Sequence, residues 1–352
     1  MGIPRRILGS VQRRSRNLVD QVRVWRATRL VSGNPRVRLS DDECCAVMLM
    51  KDGAWYIPEL LAHHRAIGVT HFLVIDNGSS DGTQSLLAGE PDVTVVENRL
   101  PAGEHEVLMR SRLPRRFVTG GWFLVVDSDE MFDPPPGCGG RVGPLLRYME
   151  SEGQTAMLAH ALDMFSGEPA TVTAGWTFAE AIERLDCYSL GQLQRIDYQD
   201  PGFVLHHYVK DNILYGPQHF WRGGMRLEVF GESPLLTRHN LVRNAPGVAP
   251  PGHVHAVSKV RVSEVTAAFR HYKFAGDYIA RDRKQVEAHI WSHGEDAQRT
   301  KLYDQPGGFA IRTTTDRKYR GSDDLLEAGF IQTSPKFRDF VSRDPEAAGA
   351  GT

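Results

Sequence analysis

Asp127-Ser128-Asp129 stands at the end of the apolar run Trp122-Phe123-Leu124-Val125-Val126. Two carboxylates one residue apart at a strand-to-loop turn can both reach a hard divalent cation. Mn2+ or Mg2+ held by few protein oxygens then keeps positions open for phosphate oxygens. Without further context the same two aspartates would simply cap the turn and bind water. A second stretch, Asp76-Asn77-Gly78-Ser79-Ser80-Asp81-Gly82-Thr83, follows the run His71-Phe72-Leu73-Val74-Ile75. Asp76 at a strand end could accept hydrogen bonds from a base or ribose, with Asn77 beside it. These residue types are equally good turn and helix-cap formers. Lys51-Asp52 follows a third apolar run, Cys44 to Met50, and faces the same sheet edge.

The elements that must hold these residues are legible as periodicities. Short apolar runs at 44–50, 71–75, 93–96 and 122–126 alternate with helical periods at 55–67, 84–87 and 104–117, the last interrupted by Pro114. This β-α-β-α-β-α-β succession predicts an α/β fold with a Rossmann-like, mostly parallel sheet flanked by helices. Ligands of such sheets sit at the carboxyl ends of the strands, where both acidic stretches fall. Further along, strands are expected over 156–162, 235–242 and 260–274, a surface helix over 278–293, and a disordered tail after Asp344.

The chain of 352 residues carries 42 Lys and Arg against 43 Asp and Glu, a net charge of −1. That sum hides an asymmetry. Residues 1–40 hold ten arginines, no lysine and one acid, a charge of +9, whereas the remaining residues hold 32 basic and 42 acidic side chains, a charge of −10. The balance argues against a nucleic-acid-coating protein and sets apart a basic arm that could lie on an anionic membrane surface. Four cysteines, Cys44, Cys45, Cys138 and Cys187, lack the close pairs of a thiolate zinc site and are too few for a disulfide scaffold. No window approaches a membrane span and no secretory signal core is seen, so the expected location is the cytoplasm, with peripheral attachment at the inner membrane face.

Taken together, the run from Met48 to Thr83, with Lys51-Asp52-Gly53, Glu59-Leu60-Leu61-Ala62-His63-His64 and Asp76 to Thr83, followed by Asp127-Ser128-Asp129-Glu130-Met131-Phe132, resembles the family-2-type glycosyltransferases of the GT-A fold, in the bacterial branch related to family 92. Gly53 departs from the usual Glu, and Met131-Phe132 displaces the aromatic by one. The second half resembles the family more faintly, at Asp163-Met164-Phe165, Gly223-Gly224-Met225-Arg226, Pro234 to Arg238, His253-Val254-His255 and His271-Tyr272-Lys273-Phe274.

The resemblance implies a GT-A nucleotide-sugar-binding domain over 41–275, between the basic arm 1–40 and a helical extension 276–352. It implies a metal-dependent, inverting transfer of a hexosyl or related group from a nucleoside diphosphate sugar to a hydroxyl acceptor such as a glycan, a lipid-linked sugar or a surface polysaccharide. By similarity Asp76 would contact the nucleotide, Asp127 and Asp129 would hold the metal and sugar nucleotide, and Glu130 would support that loop. Lys51, Asn77 and Arg226 are further candidates for the nucleotide, Lys273 for phosphate, and His271 for a third metal ligand. Inversion needs a carboxylate to take the acceptor proton, and Asp163 and Glu228 are the candidates. Two other readings remain: a nucleotidyltransferase, although 51–56 lacks a Gly-rich phosphate loop, and a catalytically inactive GT-A fold that binds a glycan or a partner.

Overall fold

The computed structural model describes residues 18–287, 299–304 and 308–348. Ten strands form one sheet: β1 (Arg29–Ser32), β2 (Cys44–Met50), β3 (His71–Asp76), β4 (Val93–Glu97), β5 (Trp122–Val125), β6 (Glu130–Asp133), β7 (Ala156–Asp163), β8 (Ile213–Leu214), β9 (Thr237–Arg243) and β10 (Arg261–His271). Their order is β1-β4-β3-β2-β5-β9-β7-β10-β8, with β6 pairing β10. Helices α1 (Ile57–Ala66), α2 (Thr83–Leu87) and α3 (Ala102–Ser111) make the crossovers among β2, β3, β4 and β5. Those four strands are parallel and buried almost throughout, as expected of strands covered on both faces. Alternation divides their side chains: Ala46, Met48, Phe72 and Val74 enter one core, and Cys45, Val47, Leu73 and Ile75 the other.

The sheet as a whole is mixed, not mostly parallel. Strand β9 runs antiparallel to both β5 and β7, so β5, β7 and β10 all point the same way. Within the parallel part the order β4-β3-β2-β5 reverses direction between β2 and β5. That reversal is a topological switch point, the place outside the carboxyl ends where ligands of open α/β sheets bind. Lys51 leaves β2 on one side of it, and Asp127 follows β5 on the other.

Two expectations about the chain ends need correction. From residue 18 the basic arm is part of the body: 18–27 is helical, and β1 closes the sheet by pairing antiparallel with β4, whose outer edge would otherwise be open. Within the tail expected to be disordered, Pro345–Ala348 forms a helical turn. Its anchors are charges, not apolar groups: Arg147 donates to Asp344 at 2.7 Å and to Glu346 at 2.9 Å. The helix expected over 278–293 covers Tyr278–Glu287, and the rest of that span lies outside the described residues. Beyond residue 275, a buried cluster in which Arg299 donates to Asp282 and Glu232 binds the C-terminal part to the body. No helix among the described residues is long and apolar enough to cross a membrane.

Candidate functional site

Register assembles the site. His271, the last residue of β10, pairs across the ladder with Asp163, the last residue of β7, and on its other side with Glu130, the first residue of β6. Three strand ends therefore meet beside the turn that carries Asp127 and Asp129. The imidazole joins two carboxylates: His271 Nδ1 lies 2.6 Å from Asp163 Oδ1, and Nε2 lies 3.6 Å from Asp129 Oδ2. Burial alone would lower the His271 pKa, but Asp129 and Asp163 outweigh it and push it up to about 9. Arg226 Nε donates to the other oxygen of Asp163 at 2.8 Å. Burial opposes ionisation of Asp163, yet Arg226 and His271 hold it well below the usual carboxylate range.

Asp127 faces different partners. Arg110, from α3, reaches its Oδ1 at 2.5 Å, and Arg238, from the start of β9, donates to its Oδ2 at 3.0 Å. Together they outweigh burial and hold the Asp127 carboxyl well below its ordinary range. Arg238 also donates to Glu130, whose carboxylate accepts from the Asp127 backbone N–H at 2.8 Å. Burial nonetheless pushes Glu130 up to about 7. The expected metal set of Asp127, Asp129 and His271 is thus not gathered. Among the described residues no three His, Cys, Asp or Glu side chains form a metal-holding group. What remains is the Asp129 and His271 pair, with Asp163 in the position from which a carboxylate orients a metal-binding histidine.

A cationic wall stands next to Asp129. Arg281 donates to the Tyr56 hydroxyl at 2.9 Å and to the Lys273 carbonyl, and its charge helps keep Asp129 ionised. The half-buried Lys273 ammonium has its pKa lowered by burial first and then by Arg299, Arg226 and Arg281. A phosphate would relieve that repulsion.

Asp76 and Asn77 have tasks other than the nucleotide contact expected of them. Asp76 is fully buried and accepts hydrogen bonds from Ser79 and, at 2.6 Å, from Gln84. Asn77 Nδ2 donates to the carbonyls of Asn98 at 2.6 Å and Leu100 at 2.8 Å. The loop after β2 is laced to the same region: the Asp52 N–H donates to Ser79 Oγ, Gly53 N–H to Thr83 Oγ1, and Ala54 N–H to Asp81 Oδ2. The turn formers at 76–83 therefore brace two loops into one rim, and Lys51 is exposed upon it. Thr83→Val keeps the side-chain volume but strips the buried acceptor from Gly53 N–H. It is expected to cost about 1–3 kcal/mol in urea denaturation and to speed proteolysis of the 51–54 loop.

The two base candidates fare differently. Both Asp163 oxygens are taken, so Asp163 orients His271 and holds Arg226 away from the role of a free phosphate ligand. Glu228 accepts from Thr314 N–H at 2.6 Å and Thr314 Oγ1 at 2.8 Å through Oε1, while its buried Oε2 has no hydrogen-bond partner. No contact joins Glu228 to Asp127, Asp129 or His271 among the described residues. Arg110 and Arg281 carry no signal in the sequence, since nothing in a helical period distinguishes a charge that will turn inward. Compared with protein-family models and with curated proteins, the chain matches none.

Proposed function

We propose that the chain is a glycosyltransferase of the GT-A type, taking a nucleoside diphosphate sugar in the crevice between β2 and β5 and passing the sugar to a hydroxyl acceptor. The observation that carries this reading is the Asp163, His271, Asp129 chain at the edge of a topological switch point, next to unsatisfied cationic charge. Asp129 and His271 fit a divalent ion: one hard oxygen and one imidazole stand 3.6 Å apart, and the second ring nitrogen is already held by a carboxylate. Mn2+ or Mg2+ bound by them would supply positive charge to the departing diphosphate.

The chain's own residues do the rest. Lys273 and Arg281 present donors to phosphate oxygens, and the braced rim carrying Lys51 fixes one wall of the nucleotide crevice. Arg110 and Arg238 hold Asp127, and with it the whole turn, so that Asp129 faces His271 before any ligand arrives.

Incubation of the purified chain with UDP-, GDP- and dTDP-sugars and Mn2+ is expected to give binding and slow donor turnover with at least one of them. Both should be lost in Asp129→Ala. Indistinguishable behaviour of the two proteins with every donor would overturn the reading. The commitment of Asp163, and the lack of a contact between Glu228 and the strand-end cluster among the described residues, favour one second reading, a GT-A fold that binds nucleotide without transfer. Metal-dependent donor binding with no turnover on any acceptor would select it.

A further inference from the structure

We infer that the outer face of the helix at 18–27 docks the protein on an anionic bilayer surface. The helix faces the body through Val24, which is 1% exposed, and Thr28 just beyond it. Its opposite arc presents Leu18 (63% exposed), Val19 (65%), Val22 (45%) and Trp25 (43%). The spacing of Leu18, Val22 and Trp25, four and then three residues, puts them in one stripe. Ten large apolar side chains are exposed among the described residues, and five of them, counting Leu30, fall within 18–30. That concentration on one short element is not the scattered exposure of an ordinary surface.

Charge selects the occupant. Arg23 and Arg26 are exposed on the helix, flanking the stripe on one side. On the other side Arg112 reaches Gln21 Oε1 at 3.4 Å, and Arg116 donates to the Trp25 carbonyl at 3.0 Å. The helix's single acid, Asp20, is half-buried. Apolar groups between rows of arginine, without an outward carboxylate, match lipid headgroups bearing negative charge above an acyl interior. Five more arginines and no acid occur in residues 1–17, which lie outside the described residues.

The placement gives docking a consequence. Asn98, directly after β4, donates to the Val24 carbonyl at 2.9 Å and to Thr28 Oγ1 at 2.8 Å, and its own carbonyl accepts from Asn77. The helix therefore sits at the carboxyl edge of the sheet, the edge that bears the crevice. Helix α3 links the two, with Arg110 on Asp127 and Arg112, just past its end, against Gln21. If the transferase reading holds, on which this last step rests, the acceptor hydroxyl is carried by a lipid headgroup.

The test uses the full chain and no nucleotide, so its outcome is independent of the transferase reading. Vesicles of phosphatidylcholine with about 30 mol % phosphatidylglycerol are expected to pellet the protein at low salt, and pure phosphatidylcholine vesicles to leave most of it in solution. Val22→Glu with Trp25→Glu should lower partition at least about tenfold at an unchanged unfolding midpoint. Arg23→Gln with Arg26→Gln should lower it severalfold and flatten its salt dependence. Equal pelleting of the glutamate variant and the parent would overturn the inference, as would no pelleting with anionic vesicles. A dimer in light scattering that the glutamate variant dissolves, without vesicle binding, would also overturn it and assign the face to a second copy of the chain.

Discussion

Acidification from about pH 7.5 to about pH 5.5 is expected to remove about 3–4 kcal/mol of folding stability, well before Asp127, Asp129 or Asp163 is protonated. The cause is a set of buried neutral histidines. His64 is fully buried, with Nδ1 at 2.8 Å from the Leu60 carbonyl, and burial lowers its pKa to about 3. His239 stands between the His255 carbonyl at 3.1 Å and the Tyr198 hydroxyl at 2.7 Å, and burial takes it to about 4. His160, fully buried with Nδ1 at 2.8 Å from Thr237 Oγ1, is lowered well below its ordinary value, again by burial.

A folded pKa below the unfolded one means that the unfolded chain takes up the proton first. The stability these three contribute is whole above about pH 6.5 and is lost as pH falls through the window toward 4 and 3. One unit below 6.5 each costs about 1.4 kcal/mol, or about 4 kcal/mol together. His271 runs the opposite way. Its pKa is raised to about 9, so its contribution is fully present below pH 6.5 and is lost as pH rises through 9, which offsets about 1 kcal/mol of the loss. Glu130, raised by burial to about 7, takes up its proton in the same window and returns about 2 kcal/mol. His255 and His219, lowered by burial to about 3 and about 4, add about 3 kcal/mol to the loss. Against a total stability of about 5–15 kcal/mol, the net change is large. Denaturant titrations at the two pH values measure it, and His64→Leu should flatten the slope by about one histidine's share. Equal stability at both pH values would show that the unfolded chain gains no extra protons in this window.

The contrast between His64 and His271 shows how far a single sequence carries. Both sit in motifs and both are histidines, yet one is a core residue whose ring is consumed by a helix carbonyl and the other joins two strand ends. Apolar runs determine where β2, β3, β4 and β5 lie, because a strand buried on both faces has little choice of residue. For the same reason Asp127 and Asp129 could be set at a strand end directly from the pattern. What periodicity does not carry is the register between distant strands. The pairing of His271 with Asp163 spans 108 residues, and the reversed insertion of β9 brings Arg238 to Asp127 across 111. Local turn chemistry misled in the other direction: Asp76 and Asn77 have the right types and place for a ligand, but short polar side chains beside backbone N–H and C=O groups satisfy those groups first.

Asp129, Asp163 and Asp127 should separate cleanly when each is replaced, since the structure gives their carboxylates different partners. Asp129 faces His271 across a gap with no second cation bonded to it, and Asp129→Ala is expected to lower donor turnover at least about 1000-fold with little change in melting temperature. Asp163 does not face the crevice through a free oxygen. Asp163→Asn leaves a group that can still accept from Arg226 but no longer carries the charge that orients His271. The expected result is a loss of about 10- to 100-fold in Mn2+ affinity, read by spin resonance of the bound ion, with activity restored in part at high Mn2+. Asp127→Asn removes the counter-charge that Arg110 and Arg238 share at a side chain 30% exposed, leaving Arg238 with Glu130. It should lower stability by about 1–2 kcal/mol in denaturant titration, and change Mn2+ affinity much less than Asp163→Asn does. Three variants with the same profile would mean that the carboxylates act as one undivided cluster. Three different profiles, in stability, in metal affinity and in turnover, would follow from the ion pairs that each carboxylate makes.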